Sequence, residues 1–332
     1  MTYFIISSFN NGGNKMVNEL SNMDDVSDVY RSVLNEVGKV VIGYDEVLEN
    51  ILIAILSKGH VMLEGVPGIG KTFLANILSK TLGCEFKRIQ FTPDLLPADI
   101  IGTTIWDPNR GEFHLKKGPI FTNILLADEI NRAPPKTQSA LLESMQERQV
   151  TIEGVTHKLS EPFIVLSTQN PIEMEGTYPL PEAQVDRFMF KLLLDYTSKE
   201  DEIKILETKL SGELPEINTI IPIDLITSLQ KETKRVHITR ELMAYIVDIV
   251  DRTRKQPEVL LGASPRASIA LLDGSRSRSV LYGRDFVIPD DIKSLAHSVL
   301  RHRILLKPES ELEGANVEDI ISRILDDVPV PK

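Results

Sequence analysis

The stretch "LEGVPGIGKTFLAN" (Leu63–Asn76) places Gly65, Pro67, Gly68 and Gly70 between an apolar run and a helix-like run. The preceding "HVML" (60–63) is typical of a short strand, and "TFLANILSKTL" (72–82) has the period of a helix. The glycine-rich segment is therefore a strand-to-helix loop of the form G-x-x-x-x-G-K-T. Backbone N–H groups of such a loop, together with the positive end of the helix dipole, converge on phosphate oxygens.

The two residues that end this loop add the remaining groups of a phosphate site. Lys71 would reach the β- and γ-phosphates of a nucleotide, and the Thr72 hydroxyl would bind Mg²⁺. A simple glycine-rich turn is the alternative, but the strand and the helix lie where phosphate binding needs them. The residues predicted to bind the nucleotide here are Gly65, Val66, Pro67, Gly68, Ile69, Gly70, Lys71, Thr72 and Phe73.

Hydrolysis needs separate evidence, and "NILLADEINR" (123–132) supplies it. Its apolar residues indicate a buried strand that ends in two adjacent carboxylates beside the loop. Asp128 would hold Mg²⁺ through water, and Glu129 would polarise the attacking water as general base. A strand that ends in solvated acids is the alternative reading, which the upstream loop disfavours.

A third strand, "FIVLSTQN" (163–170), also ends in polar residues. In a parallel sheet the carboxyl ends of the strands face the same crevice. Asn170 is therefore expected to position the lytic water or to touch the γ-phosphate, with an ordinary loop asparagine as the alternative.

Strand-like and helix-like runs alternate over the first two thirds of the chain, which predicts an α/β domain with a parallel sheet covered by helices on both faces. The predicted strands are "HVML" (60–63), "FKRIQF" (86–91), "NILLAD" (123–128), "FIVLST" (163–168) and "FMFKLLL" (188–194). Beyond them the strand signal fades and amphipathic segments follow one another. We therefore expect a disordered segment at 1–22, a nucleotide-binding domain at 23–197 and a smaller all-helical lid at 198–332.

Composition narrows the class of protein. The 332 residues carry a net charge of −11, which argues against a nucleic-acid partner because duplex binding relies on Lys and Arg. The single cysteine, Cys84, excludes an intrachain disulfide and a multi-cysteine metal site. We find neither a signal peptide nor a membrane-length apolar run, so a cytoplasmic location is expected.

Longer motifs resemble the MoxR family of AAA+ ATPases over roughly residues 25–330. They are "RIQFTPDLLPADIIGT" (88–103), "GPIF" (118–121), "LLADEINRAPPKTQSALLESMQERQVTIEG" (125–154), "TQNPIEMEGTYPLPEAQVDRF" (168–188) and "GASPRAS" (262–268). The resemblance implies a Rossmann-like ATPase core with a helical lid, with ATP and Mg²⁺ as cofactors. It further implies a homo-oligomeric ring, expected to be a hexamer, that remodels protein clients with a von Willebrand factor A domain partner.

The resemblance also assigns roles to single residues. The matching positions are Gly65–Thr72 for the Walker A loop, Asp128 and Glu129 for Walker B, Asn170 for sensor 1, Arg187 for the arginine finger, Arg266 for sensor 2, and Val41 and Ile42 for the start of the adenine pocket. Simple pairing of Arg187 with Asp186 or Glu182 is the alternative to the finger role. Tyr44 replaces the glutamine that is common in the family. "LLDGSRSRSVLYGRD" (271–285) departs from an alanine-rich pattern, and its poor helix formers predict a less rigid helix behind Arg266.

Two insertions are predicted to form hairpins. "GTTIWDPNRGEFHLKKGP" (102–119) alternates on both sides of a turn, and "QVTIEGVTHKL" (149–159) turns at Glu153-Gly154. In similar ATPases such hairpins point to the central pore, where Trp106 and Phe113 would touch a client. Capping of the sheet edge is the alternative role. Arg132 would either sense nucleotide across a subunit boundary or form a structural ion pair.

Three classes of function remain: an ATP-driven remodeller of protein complexes, a nucleic-acid-dependent motor, and a slow nucleotide-switched scaffold. The acidic balance favours the first over the second. Stimulation of the ATPase by DNA would favour the motor, and very slow turnover even with a partner would favour the scaffold.

Overall fold

The computed structural model describes residues 23–66, 68–109, 111–169, 177–210, 212 and 215–331. The segment predicted to be disordered, 1–22, lies outside these ranges. The strands in chain order are β1 (Val61–Gly65), β2 (Phe86–Gln90), β3 (Gly102–Asp107), β4 (Glu112–Lys117), β5 (Ile124–Asp128), β6 (Gln149–Ile152), β7 (Val155–Lys158), β8 (Ile164–Gln169), β9 (Phe190–Leu194), β10 (Val259–Leu261) and β11 (Leu305–Leu306).

The helices lie before, between and after these strands. They are α1 (Met23–Gly38), α2 (Asp45–Leu56), α3 (Lys71–Thr81), α4 (Pro97–Ile101), α5 (Pro135–Glu147), α6 (Glu182–Val185), α7 (Lys199–Leu210), α8 (Ile223–Glu232), α9 (Arg240–Thr253), α10 (Pro265–Leu281), α11 (Pro289–Leu300), α12 (Pro308–Leu312) and α13 (Val317–Asp327). None of the helices in the described ranges combines the length and apolarity that a membrane span requires.

A five-stranded parallel sheet forms the centre of the α/β part, in the order β2-β5-β8-β1-β9. These are the five strands expected from the sequence, so the predicted fold class is confirmed. Alternate side chains enter two separate cores: Val61 and Leu63 pack on one face of the sheet, and Met62 packs on the other. Helix α3 covers the first face and α5 the second, as a parallel sheet with two buried faces requires.

Both predicted hairpins are present as antiparallel pairs outside the main sheet. Strand β3 pairs with β4, which places Trp106 opposite Phe113 with ring centroids 5.1 Å apart. Strand β6 pairs with β7 through a two-residue turn at Glu153 and Gly154. These residues have φ angles of 48° and 79°, the left-handed region that a tight hairpin turn needs.

The prediction of an all-helical lid is wrong in one detail, because β10 and β11 form a small antiparallel pair there. Strands of three and two residues are too short to show an alternating pattern. The prediction also lacked α1 and α2 before the sheet and α12 and α13 at the end of the lid.

The lid and the sheet share one continuous apolar core. Helix α2 lies between them, with Ile51 and Ile55 buried in the same cluster as Leu63 of β1 and Leu271 of α10. Because this cluster is not interrupted between the α/β part and the lid, the two are held together by burial of apolar area. Strand β9 ends at Leu194 and α7 begins at Lys199. The domain boundary between 197 and 198 stays a prediction.

Helix α10 is unbroken through Asp273, Gly274 and Ser275, contrary to the less rigid helix expected from their low propensity. Close packing explains this: a Cβ at Gly274 would lie 2.8 Å from Leu295 Cδ1 and 3.4 Å from Phe190 Cζ. Small residues thus let α10 approach α11 and β9. Tertiary burial here outweighs the propensity cost of about 1 kcal/mol for an interior glycine.

A buried carboxylate fixes the far end of α10. Asp291 is fully buried and accepts hydrogen bonds from Arg278, Arg284, Ser279 and the Ile288 amide. Arg278 also donates to Glu49 of α2 at 3.0 Å, so the network joins the lid to the core. Burial alone would raise the pKa of Asp291, but these donors, led by Arg284, outweigh it and the pKa is lowered.

We predict that Asp291→Ala lowers the free energy of unfolding by about 3–5 kcal/mol, because it leaves Arg284 partly buried without its counter-charge and leaves Arg278 with Glu49 alone. Chemical denaturation followed by circular dichroism measures the change. The neighbouring Asp290 is exposed and serves as the matched control, since Asp290→Ala removes a carboxylate from the same helix turn without disturbing a buried pair. Equal stabilities of the two variants would contradict the role given to the network.

Candidate functional site

The glycine-rich loop lies between β1 and α3, at the carboxyl edge of the sheet. Gly68 and Gly70 have φ angles of 89° and 87°, which favour glycine, and a Cβ at Gly65 would collide with the Leu194 carbonyl oxygen. Val66 is half-buried in the loop, and Pro67 lies outside the described residues. The backbone therefore turns in a form that few other sequences could adopt.

Helix α3 presents its amino terminus to this loop. Gly70 is its N-cap, and among the described residues no side chain caps the first turn, so its N–H groups and the dipole offer a site for an anion. Thr72 lies half-buried in that turn. Lys71 donates to the Gly65 carbonyl oxygen across the loop. Burial lowers the pKa of the Lys71 ammonium, and the carboxylates of Asp128, Glu129 and Glu64 oppose that shift.

Two carboxylates at the end of β5 are held by the neighbouring strand β8. Thr168, buried on β8, donates from Oγ1 to Asp128 Oδ1 at 2.6 Å, and the same oxygen accepts from the Glu129 amide at 2.8 Å. One hydroxyl thus orients the Asp128 carboxylate and holds the backbone at Glu129. The second oxygen of Asp128 accepts from Arg88 Nη2 at 2.7 Å.

Glu129 has an unusual backbone, with φ 57° and ψ 52°. A glutamate in this left-handed region carries strain of order 1–3 kcal/mol, which is frequent at functional sites. Its carboxylate accepts from Gln90 Nε2 at 2.6 Å and from Arg132 Nη1 at 3.2 Å. The ion pair with Arg132 is one of the two roles expected for that arginine.

An apolar cavity of about 410 Å³ opens beside the glycine-rich loop. Val41 and Ile42, predicted to begin the adenine pocket, line it together with Phe73 and Ile69, and Tyr196 stands at its edge. Tyr44 lines the same cavity and donates to the Asp195 carbonyl oxygen at 3.2 Å, so it braces the pocket wall. The size and the apolar lining fit a nucleotide base next to a phosphate loop.

The two predicted arginines lie elsewhere, at the amino edge of the sheet. Arg187 and Arg266 line one cavity of about 330 Å³ together with Gly59 and His60, which precede β1, and Met189, which precedes β9. The glycine-rich loop follows the carboxyl end of β1, and a five-residue strand spans roughly 16 Å. Neither arginine is therefore beside the phosphate loop of its own chain.

The remaining predicted site residue, Asn170, lies outside the described residues. Thr168 and Gln169, which directly precede it, are at the end of β8 next to β5, at the same edge as Asp128. The sensor 1 role of Asn170 stays a prediction.

Comparison with known proteins gives the family. Residues 60–190 match the "ATPase family associated with various cellular activities (AAA)", and residues 251–324 match the "AAA lid domain". The chain is 44% identical to "Chaperone MoxR1" of Mycobacterium tuberculosis, over 90% of this chain and 81% of that protein. It is also 28% identical to "Protein MoxR" of Methylorubrum extorquens, over 93% of this chain and 97% of that protein.

The chain belongs to the MoxR family of AAA+ ATPases. Two further relatives agree in length and fold. A Bacillus subtilis protein, YeaC, is 46% identical over 93% of this chain and 97% of its own. A crystal structure of a protein described as an ATPase, from Cytophaga hutchinsonii, superposes with a TM-score of 0.88 at 44% identity, over 93% of this chain and 97% of that one. This MoxR-family protein is an ATP-hydrolysing enzyme with a AAA core and a AAA lid.

Several contacts of this MoxR-family site did not follow from the sequence. Gln90 and Arg88 reach Glu129 and Asp128 from β2, which pairs with β5 in the sheet. The sequence marked Thr168 only as a polar strand end, although its hydroxyl bonds both the Asp128 carboxylate and the Glu129 backbone amide. The signal available was the position of a threonine at the carboxyl end of a buried strand next to the acidic one.

We predict that Thr168→Val lowers ATP turnover about 10–100-fold, the usual cost of losing a group that orients a metal ligand, the role predicted for Asp128. ATP affinity measured without Mg²⁺ should be unchanged, because Thr168 does not line the phosphate loop. Ser167→Ala is the control: Ser167 is the neighbouring buried residue of β8, and its hydroxyl has no hydrogen-bond partner in the described part of the chain. Similar turnover by both variants would contradict the orienting role.

Proposed function

We propose that this protein is a cytoplasmic ring of identical subunits, a hexamer, that uses Mg²⁺-dependent ATP hydrolysis to remodel or mature protein complexes. The observation that carries the ring is the separation of Arg187 and Arg266 from the phosphate loop of their own chain. Each subunit has its phosphate loop at one edge of the sheet and its two arginines at the other. A neighbouring subunit is therefore needed to complete each site.

The two faces differ, so the contact between subunits is head-to-tail. Repeated contacts of this kind close into a ring when the rotation permits it. The cavity at the arginine face suits a phosphate group, because Lys58, Arg148 and Arg303 line it besides Arg187 and Arg266. Within the described part of the chain the Arg187 Nε atom has no hydrogen-bond partner, and the Asp186 carboxylate is bonded to Arg303 and Ser264 instead. This favours the finger role over simple pairing with Asp186.

Hydrolysis is assigned to the residues at the carboxyl edge. Lys71 and the α3 amino terminus would bind the phosphates, and Val41, Ile42 and Phe73 the base. Thr72 and Asp128 would hold Mg²⁺, which supplies charge compensation on the phosphates when bound. Glu129 would accept a proton from the attacking water after leaving Gln90 and Arg132. Asn170 would position that water, and Arg187 and Arg266 would stabilise the charge that develops in the neighbouring subunit's site.

Remodelling of clients rests on the family and on one exposed surface. The β3–β4 hairpin presents Trp106 and Phe113, with 54% and 69% of their surfaces exposed. Large exposed aromatics that pack on each other outside the sheet suit contact with another protein. The family resemblance supports a von Willebrand factor A domain protein as the partner that selects clients. The net charge of −11 gives no support to a nucleic-acid partner.

If Glu129 is the general base, Glu129→Gln should retain ATP but lose on the order of 10²–10⁴-fold in turnover. Replacing the Glu129 carboxylate with an amide keeps the shape of the side chain and its contact with Gln90, and it removes the basic oxygen. Phosphate release measures turnover, and filter binding measures retained nucleotide. Persisting ATP should also favour the assembled ring and hold bound clients, which native mass spectrometry detects. Turnover equal to that of the unmodified protein would exclude the role.

Mixing two inactive variants tests the ring directly. Arg187→Ala should lose roughly 10³–10⁵-fold in turnover, as arginine fingers contribute in related nucleotide hydrolysis. Lys71→Ala should not bind ATP. A mixed ring contains interfaces that pair an intact cradle with an intact arginine, so activity should partly return. Normal turnover by Arg187→Ala, or no recovery in rings shown to be mixed, would overturn the completion of sites between subunits. Each variant alone, at the same total subunit concentration, is the control.

A further inference from the structure

Asp186 precedes Arg187 in the chain, yet its carboxylate faces the lid. Oδ2 accepts from Ser264 Oγ at 2.9 Å, and Oδ1 accepts from Arg303 Nε at 2.8 Å. Arg266 Nε lies 4.0 Å from Oδ2. One side chain of the α/β part therefore contacts three residues of the lid.

Two of these lid residues, Ser264 and Arg303, contact different parts of the surface that carries Arg187 and Arg266. Ser264 is the N-cap of α10, and its Oγ also accepts from the Arg266 amide at 3.1 Å, so Asp186 is two hydrogen bonds away from the Arg266 backbone. Arg303 is buried, and its guanidinium donates to the carbonyl oxygens of Asp186, Phe188 and Met189. The backbone on both sides of Arg187 is thus attached to the lid.

We propose that Asp186 is a positioning residue that joins the finger Arg187 and the lid arginine Arg266 into one unit, so that both are presented together to the nucleotide of the neighbouring subunit. This inference rests on the proposed ring. The Asp186 carboxylate is bonded to Arg303 and Ser264. Within the described residues the Nε atom of the adjacent Arg187 has no hydrogen-bond partner, so it can donate to a phosphate.

The geometry favours this role over ordinary stabilisation of the lid. The lid is already fixed to the core by the apolar cluster and by Asp291. Asp186 adds polar contacts only at the place where the two predicted arginines share a cavity, and that cavity is lined by Asp186 itself. A carboxylate bonded to several donors holds their relative positions more narrowly than apolar contact does.

Asp186→Asn in the full-length protein tests the proposal. Asparagine keeps the shape but loses the charge and one acceptor oxygen. We expect ATP affinity to be unchanged, because the variant's own phosphate loop is intact, and turnover to fall about 10²-fold, the cost of misplacing a catalytic group by about 1 Å. Glu182→Gln, which neutralises an exposed acid on α6, just before Asp186, is the control and should turn over normally.

Mixing separates positioning from a structural role. Asp186→Asn mixed with Lys71→Ala should recover activity, because Lys71→Ala supplies an intact arginine face to the Asp186→Asn cradle. Mixed with Arg187→Ala it should not recover, because both then lack a working arginine face. If Asp186→Asn melts at a much lower temperature, Ser264→Gly is the deciding variant, because glycine is accepted at an N-cap and the change removes only the hydroxymethyl group that bonds Asp186.

Normal turnover by Asp186→Asn and by Ser264→Gly, while Arg187→Ala and Lys71→Ala still complement each other, overturns the positioning role and leaves the ring. Weakened ATP binding by Asp186→Asn, or recovery with Arg187→Ala, also overturns it. Failure of Arg187→Ala and Lys71→Ala to complement each other overturns the proposed ring itself, and the positioning role with it.

Discussion

Parallel strand pairing is the constraint on which the rest of this molecule depends. Because all five strands of the sheet run the same way, the glycine-rich loop after β1, the acids after β5 and the polar end of β8 must lie at one edge. The hydroxyl of Thr168 then needs no special loop to reach Asp128 and the Glu129 amide, since β8 is the direct neighbour of β5. The same pairing sends the residues before β1 and β9, and with them the cavity that contains Arg187 and Arg266, to the opposite edge.

Sequence patterns were sufficient where local chemistry decides the structure. The five sheet strands, both hairpins and the glycine-rich loop follow from apolar runs, turn residues and spacing. The helix signal of α1 was also present, in the spacing of Val26, Tyr30, Val33 and Val37, all of which are buried. That helix was missed although its pattern is regular, whereas β10 and β11 are too short to produce one.

Other features depend on contacts between residues far apart in the sequence, and a pattern within a short stretch of sequence does not show such contacts. Gln90 meets Glu129 only because β2 pairs with β5, and Asp186 meets Ser264 and Arg303 across 78 and 117 residues. Helix α10 shows the same limit for secondary structure. The poor propensity of Asp273-Gly274-Ser275 indicated a weak helix, but the small side chains allow close packing that stabilises it. The role predicted for Asn170 stays a prediction, because Asn170 lies outside the described residues.

The apolar core shared by the sheet and the lid limits how this enzyme can move. Opening the lid as a hinge would expose side chains such as Ile51, Ile55 and Leu271, each worth about 1.5–3 kcal/mol in burial. Loss of that burial opposes a hinge motion of the lid within one chain. We therefore expect core and lid to move as a single rigid body; in the proposed ring, the work of each cycle would then come from rotation of whole subunits against one another.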